Sequence, residues 1–451
     1  MTLLIISPDY ASHLLPLATF GTAWRDRGER VVVATGPATA AIVESFGFER
    51  VELSLARGSN GGVIRADDQP EGEDDSLRGF FDATREGMVE TLAYQARERL
   101  TDLMWQPVET ARRVLEVVEA VRPDQIMVDH LAFSARLALT AGRVPHADVV
   151  LGHPSALPVA GELYGFPPAW PEAFTSDPAA LASLRDLCDR VSASFTAEWN
   201  AALLSLDPGA EPSASAFEEH GDLLLYNYPG ELAASDRELP PHAFVGSAAR
   251  DEVQDPDVEA WLASPEPFVY VSFGSFLSVR SDVLGRVAAA LTSLLRSRPG
   301  LRAAIALGSA SLDELTAAVG GPLPSSWLVR EFLPQVRLLR DAAAAVTHGG
   351  NNSVTEAMTF GVPLVVLPFS TDQFAGAAAI EAAGSGVVLP PNTATVDEVS
   401  AALAWALSLR DSGSSAAVRL AALADSLQAV PGRERAWAAL AEPAVPPARI
   451  G

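Results

Sequence analysis

Short apolar runs alternating with longer segments of helical pattern constrain this chain more than any other feature. Parallel strands buried on both faces read as such runs, and they can be joined only through crossovers of this length. Residues 3–7 read as a strand, 14–27 as a helix and 31–34 as a second strand, which is a β-α-β unit. Apolar runs at 125–128, 147–151 and 223–226 extend the same expected sheet. The pattern lapses into a polar run around 248–258 and then restarts. Strands are expected at 268–273, 303–307, 327–330, 342–347 and 363–367, with a helix at 282–296. Ligands of such open sheets bind beyond the carboxyl ends of the strands, so two facing domains would share one cleft.

The expected division is an amino-terminal Rossmann-like domain over 1–247, a linker over 248–258, a carboxyl-terminal Rossmann-like domain over 259–430, and a helix and tail over 431–451. That last helix, at 433–440, is free to pack back on the first domain, and the Pro-rich tail from 443 reads as loosely ordered. Two irregular regions, 56–76 and 152–177, are long enough to be functional loops. The acidic stretch 71–75 reads as a disordered surface excursion.

The 451 residues include 57 acidic and 32 basic side chains, for a formal charge of -25, and every basic residue is Arg. Without Lys there is no pyridoxal Schiff base and no phosphate-loop or kinase-type Lys. So acidic a surface also lacks the counterion-release drive for nucleic-acid binding. The single Cys188 permits no internal disulfide, and the apolar run at residues 3–6 has no basic segment before it. No run is long enough to span a bilayer, and a cytoplasmic location is the expectation.

The stretch Val346-Thr347-His348-Gly349-Gly350-Asn351-Asn352-Ser353-Val354-Thr355-Glu356-Ala357 leaves an apolar strand and enters a helix. A helix amino terminus presents unpaired N–H groups and the positive end of a dipole, a natural seat for a diphosphate. Gly349 and Gly350 allow close approach, while His348, Asn352 and Ser353 add donors and Glu356 can accept from ribose hydroxyls. By themselves these residues are equally a Gly-rich turn with helix caps. Nearby, Phe332-Leu333-Pro334-Gln335 offers a ring for stacking a base, and Asp372-Gln373 ends a later strand with groups suited to sugar hydroxyls.

Together these segments resemble the GT-B-fold UDP-glycosyltransferases, the plant and actinomycete enzymes that modify small molecules. Their signature runs from an aromatic-x-Pro-Gln through His-x-Gly-x-Asn-Ser and a Glu to Pro-x-x-x-Asp/Glu-Gln, and here it spans Phe332 to Gln373. The resemblance implies an α/β fold of two Rossmann-like β/α/β domains facing across a cleft. It implies nucleotide contacts by Phe332, Leu333, Gln335 and Glu356, and diphosphate contacts by Ser275, His348, Gly350, Asn352 and Ser353. Asp372 and Gln373 would hold the donor sugar. Phe332 stands where most relatives have Trp, and the Asn352-Ser353 pair resembles UDP-sugar enzymes more than the Gly-Thr form frequent in deoxysugar transferases.

Family members also carry Gly-His-x-x-Pro after the first strand, where this chain has Ser12-His13-Leu14-Leu15-Pro16. The resemblance implies that His13 is the general base and that Asp129, closing the strand at 125–128, orients it. An isolated His at a helix start is more often satisfied by backbone, and Asp129 shifts that balance. The implied reaction is inverting transfer of a sugar, glucose first, from UDP-glucose to a hydroxyl of a small hydrophobic natural product or xenobiotic. A dTDP-deoxysugar donor is the alternative, and a catalytically silent binding protein is the alternative from another class. No cofactor and no metal are expected: Asp255-Pro256-Asp257, the one Asp-x-Asp spelling, reads as a surface turn. Phe80, Phe81, Trp105, Tyr164 and Trp170 are candidates for an acceptor pocket, although packing explains each nearly as well. His130, His146, His153, His220 and His242 show no metal-ligand spacing.

Overall fold

The structure, a computed structural model, describes residues 1–70, 72–100, 103–159, 161–234 and 236–441. Among these, the first sheet is built from β1 (Thr2–Ile6), β2 (Arg30–Thr35), β3 (Glu49–Glu52), β4 (Gln125–Asp129), β5 (Ala147–Val150), β6 (Leu223–Tyr226) and β7 (His242–Phe244). They lie in the order β3-β2-β1-β4-β5-β6-β7, every pair parallel. The second sheet contains β8 (Phe268–Ser272), β9 (Arg302–Ala306), β10 (Leu328–Arg330), β11 (Ala344–Thr347), β12 (Leu364–Val366) and β13 (Gly386–Val388). Its order is β10-β9-β8-β11-β12-β13, again parallel. In both sheets the order reverses beside the first strand, and a crevice opens at such a point.

The expected strands are all present, because runs such as Leu3 to Ile6 are sealed from solvent on both faces. The unforeseen β3, β7 and β13 are short and lie at sheet edges, where one face or one side of the ladder stays polar. Helices cover both faces of each sheet, giving separate apolar clusters above and below. One cluster of the second sheet continues through Val150, Leu157, Tyr226 and Tyr228 of the first, so the domains share apolar packing.

Two expectations are corrected. The acidic stretch is ordered from Glu73, whose helix Glu73–Glu86 starts with three carboxylates at its positive end; Glu71 lies outside the described residues. Asp255-Pro256-Asp257 is a helix start rather than a turn. Asp255 caps the helix Pro256–Leu262, and Arg330 pairs with Asp255 at 2.8 Å and Asp257 at 2.9 Å.

Polar contacts also cross between domains. The buried Arg280 guanidinium donates to the Thr84 carbonyl at the end of the helix Glu73–Glu86 (2.9 Å), to Asp282 and to Asn392. Arg65 pairs with Glu331 at 2.7 Å, and the Ile64 N–H donates to the Ser275 carbonyl at 3.1 Å.

After the second domain the chain returns to the first. The helix Gly432–Ala441 sets Trp437 edge-on to Trp24 at 4.9 Å, pairs Glu434 with Arg27, and lets Gln125 donate to the Leu440 carbonyl at 2.8 Å. The tail beyond it, 442–451, lies outside the described residues. Trp437→Ala is expected to cost about 2 kcal/mol, through lost apolar area and the ring pair. Urea denaturation followed by circular dichroism checks this, with the loss in the transition that reports the first domain.

Candidate active site

β1 and β4 are parallel neighbours, with Ile6 opposite Val128, so their carboxyl ends share one edge. The helix Ala11–Arg25 starts just beyond β1 with His13 in its first turn, and Asp129 is the last residue of β4. His13 Nδ1 donates to Asp129 Oδ2 at 2.7 Å. Asp129 is fully buried, and its other oxygen accepts from the Leu131 N–H at 2.8 Å. With the proton held on Nδ1, Nε2 is the imidazole nitrogen presented to the cleft that His13 lines. Burial pulls the imidazole pKa down, but the charge and hydrogen bond of Asp129, with Asp372 behind them, hold it above its ordinary 6.5. Burial likewise opposes ionisation of Asp129, and His13 and His130 hold it well below the usual carboxylate range.

On the facing domain, Phe332 is 67% exposed and offers a free ring face on the cleft wall, with Leu333 buried beneath the turn. The Gln335 amide oxygen accepts from Tyr270 and Ser353 hydroxyls, each at 3.3 Å, and its nitrogen donates to Glu356 at 2.6 Å. Arg250 reaches the other Glu356 oxygen at 3.3 Å. Burial raises the Glu356 carboxyl to about 7, against the lowering influence of Arg250 and Gln335.

His348 stands between β11 and the helix Asn351–Thr359, with Gly274 and Gly350 against its ring. At Gly274, where φ is +66°, an added Cβ would meet the ring at 2.7 Å, so both conformation and space require glycine. Burial lowers His348 to about 4, so it meets ligands as a neutral imidazole, and its Nδ1 has no protein partner. Ser275 also lines the cleft.

Thr371, a β-branched residue, holds φ at +54°, a strained conformation that directs Asp372 across the cleft. Asp372 accepts from the His153 backbone N–H at 2.6 Å and from the Thr371 hydroxyl at 3.0 Å. The Gln373 amide folds back onto its own turn, accepting from the Phe369 and Ser370 N–H groups and donating to the Ser370 hydroxyl.

These groups line a continuous cleft of about 1700 Å³. That exceeds the ~300–1,000 Å³ of a single small-ligand pocket, and two substrates can be held side by side. Of the aromatic candidates, Phe80 and Tyr164 line the cleft, whereas Phe81, Trp105 and Trp170 do not. Phe81 is buried in the domain, and Trp170 packs against Phe166 and Phe374. Asn352, expected at the diphosphate, lines the cleft and donates to the Ser12 carbonyl at 2.9 Å. The sequence reading missed Arg250, hidden in the expected linker, and the Tyr10–Phe276 ring stack that bridges the domains at 6.1 Å. An Arg inside the acidic run before residue 258, in a chain so short of cations, was the available signal for the first.

Among the described residues, no group of three or more His, Cys, Asp or Glu side chains is arranged to hold a metal ion, and no helix is long and apolar enough to cross a membrane.

Residues 310–431 match the family described as erythromycin biosynthesis protein CIII-like, C-terminal domain. An uncharacterized UDP-glucosyltransferase, YojK, of Bacillus subtilis is 22% identical over 62% of this chain and 64% of its own length. The oleandomycin glycosyltransferase of Streptomyces antibioticus is 28% identical over 40% of this chain and 42% of its own. The chain thus covers less than two thirds of either relative. The solved spinosyn rhamnosyltransferase SpnG, complexed with thymidine diphosphate, superposes with a TM-score of 0.65 at 20% identity, covering 98% of this chain and all of that one. This chain has the two-domain GT-B fold, and its residues 310–431 are similar to the EryCIII-like C-terminal domain.

Proposed function

We propose that the protein transfers a sugar from a nucleoside diphosphate to a hydroxyl of a small natural product, with inversion at the anomeric carbon. The observation behind this is the His13–Asp129 pair, whose open Nε2 looks into the same cleft as the Gly-flanked helix start and Asp372 of the other domain. His13 takes the acceptor proton as the acceptor oxygen attacks the anomeric carbon, and the nucleoside diphosphate leaves from the opposite face. Asp129 holds the imidazole in the required tautomer and offsets the charge it gains.

The leaving diphosphate would sit at the amino terminus of the helix Asn351–Thr359, against the neutral His348 and the Ser275 turn. Aligned N–H dipoles there can stabilise it without a metal. Phe332 would stack the base, and Glu356 with Gln335 would meet the ribose.

UDP-glucose is the first donor to test, on the strength of the Asn352-Ser353 spelling and the Asp372-Gln373 pair. A deoxysugar on dTDP is favoured by a different observation: Asp372 is already held by the His153 N–H, beside Gly152, where only the lack of a Cβ leaves room for the carboxylate. The rhamnosyltransferase with bound thymidine diphosphate points the same way. Mass spectrometry with mixed UDP- and dTDP-sugars and a panel of phenolic and macrocyclic acceptors separates the two.

His13→Ala is expected to lower turnover by about 10²- to 10⁴-fold while leaving nucleotide binding by calorimetry unchanged. Normal donor binding with no turnover in the wild type, across the whole panel, would favour a silent binding protein instead.

The pH dependence has a definite sign. Only neutral His13 can accept a proton, so kcat/KM falls as pH drops through its pKa, and the acid limb should lie above 6.5. Asp129→Asn removes the charge that raises the imidazole. The limb should then move to lower pH while the plateau rate falls by about 10²-fold or more.

A further inference from the structure

The helix Ala11–Arg25 contains a proline at position 16. In a regular helix the carbonyl of residue 12 accepts from the N–H of residue 16, but proline has no N–H, and its ring presses on the carbonyl four residues back. The Ser12 carbonyl, one residue before His13, is thereby deprived of its ladder donor.

Its donor comes from the other domain. Asn352 Nδ2 donates to the Ser12 carbonyl at 2.9 Å, from the second position of the helix Asn351–Thr359. A buried asparagine steadies this contact: Asn227 Nδ2 lies 3.4 Å from Asn352 Oδ1, and the Asn227 carbonyl accepts from Asn351 Nδ2 at 2.9 Å. Asn227 Oδ1 in turn accepts from the Ala248 N–H at 3.0 Å. One amide thus connects the helix start that faces the diphosphate seat to the backbone that carries the imidazole.

We propose that the Ser12 carbonyl freed by Pro16 and the Asn352 amide form an interdomain latch that sets the position of His13 relative to the bound donor. Asn352 and Pro16 are then positioning residues. The kinetic consequence rests on the glycosyl-transfer reading above, whereas the contact itself does not. A ligand role for Asn352 on the diphosphate is the rival, and the two roles part company in experiment.

The test is a double-mutant cycle with Asn352→Ala and Pro16→Ala, using UDP as the binding probe. Asn352→Ala should lower kcat about tenfold through misplacement of the base, with the UDP dissociation constant within about twofold of wild type. Pro16→Ala restores an N–H within the helix that competes for the same carbonyl, and should slow turnover in the same way. In urea denaturation of the substrate-free protein, Pro16→Ala should stabilise the Asn352→Ala background more than it does the wild type, because it supplies the carbonyl with a new partner. The double variant should nonetheless stay slow, since the domains remain unlatched.

Additive effects on unfolding would overturn the latch, as would a tenfold loss of UDP affinity in Asn352→Ala with kcat unchanged. If Pro16→Ala does not fold, the pH profile of Asn352→Ala decides. A latch shifts the acid limb set by His13, and a pure diphosphate contact leaves it in place. Failure of the wild type to transfer any sugar would remove the glycosyl-transfer reading while leaving the unfolding cycle able to judge the contact.

Discussion

Because β1 and β4 run in parallel side by side, the segments leaving their carboxyl ends emerge on one edge of the first sheet, and residues 116 positions apart meet as an imidazole and a carboxylate. Neither group could be held this way by local sequence. Asp129 stays ionised in a sealed position because the His13 ring and the Leu131 N–H both donate to it. His13 keeps a proton on the inner nitrogen because that carboxylate is there to accept it. The second sheet repeats the geometry with different groups at its strand ends, and the cleft exists because the two edges face each other.

A chain with a formal charge of -25 and no Lys faces a particular difficulty in binding an anion such as a diphosphate. In the proposed reading, fixed dipoles would meet it alongside the arginines of the cleft. A helix amino terminus and a neutral His348 pressed between glycines meet the cleft, and Arg250 pairs with Glu356 on its wall. Such groups are fixed by the fold, so they need little rearrangement when charge develops on a leaving group. The Glu356 carboxyl, raised to about 7 by burial, also adds less negative charge near neutrality than an exposed glutamate would.

The alternating pattern was legible because parallel strands buried on both faces leave no polar residue to blur them, as at Leu3 to Ile6. β3, spelled Glu-Arg-Val-Glu, was not, since an edge strand bears charge on its open side. His13, Asp129, His348 and Asp372 could be named from sequence because the family resemblance picks them out, and each follows or ends a strand of the two sheets, the edge where ligands of such sheets bind. The rest depends on how two domains meet. The Asn352 bond to Ser12, the Arg250 contact with Glu356, the left-handed Thr371 and the His153 N–H on Asp372 all join segments that no local pattern connects. The aromatic candidates divided for a similar reason, since composition cannot distinguish a ring facing a cleft from one turned into a core, as Phe80 and Phe81 show.

Among the described residues, the return of the last helix to Trp24 and Gln125 makes two covalent crossings between the halves, one after β7 and one just before Gly432. Two bodies pinned at two points cannot drift apart or slide freely; what remains open to them is rotation about the line joining the pins. Any widening of the cleft should therefore follow a single swinging path, so that the halves come back to the same register each time they shut. A machine with one hinge line needs few contacts at its far side to define the shut position, which makes a small set of polar contacts there enough.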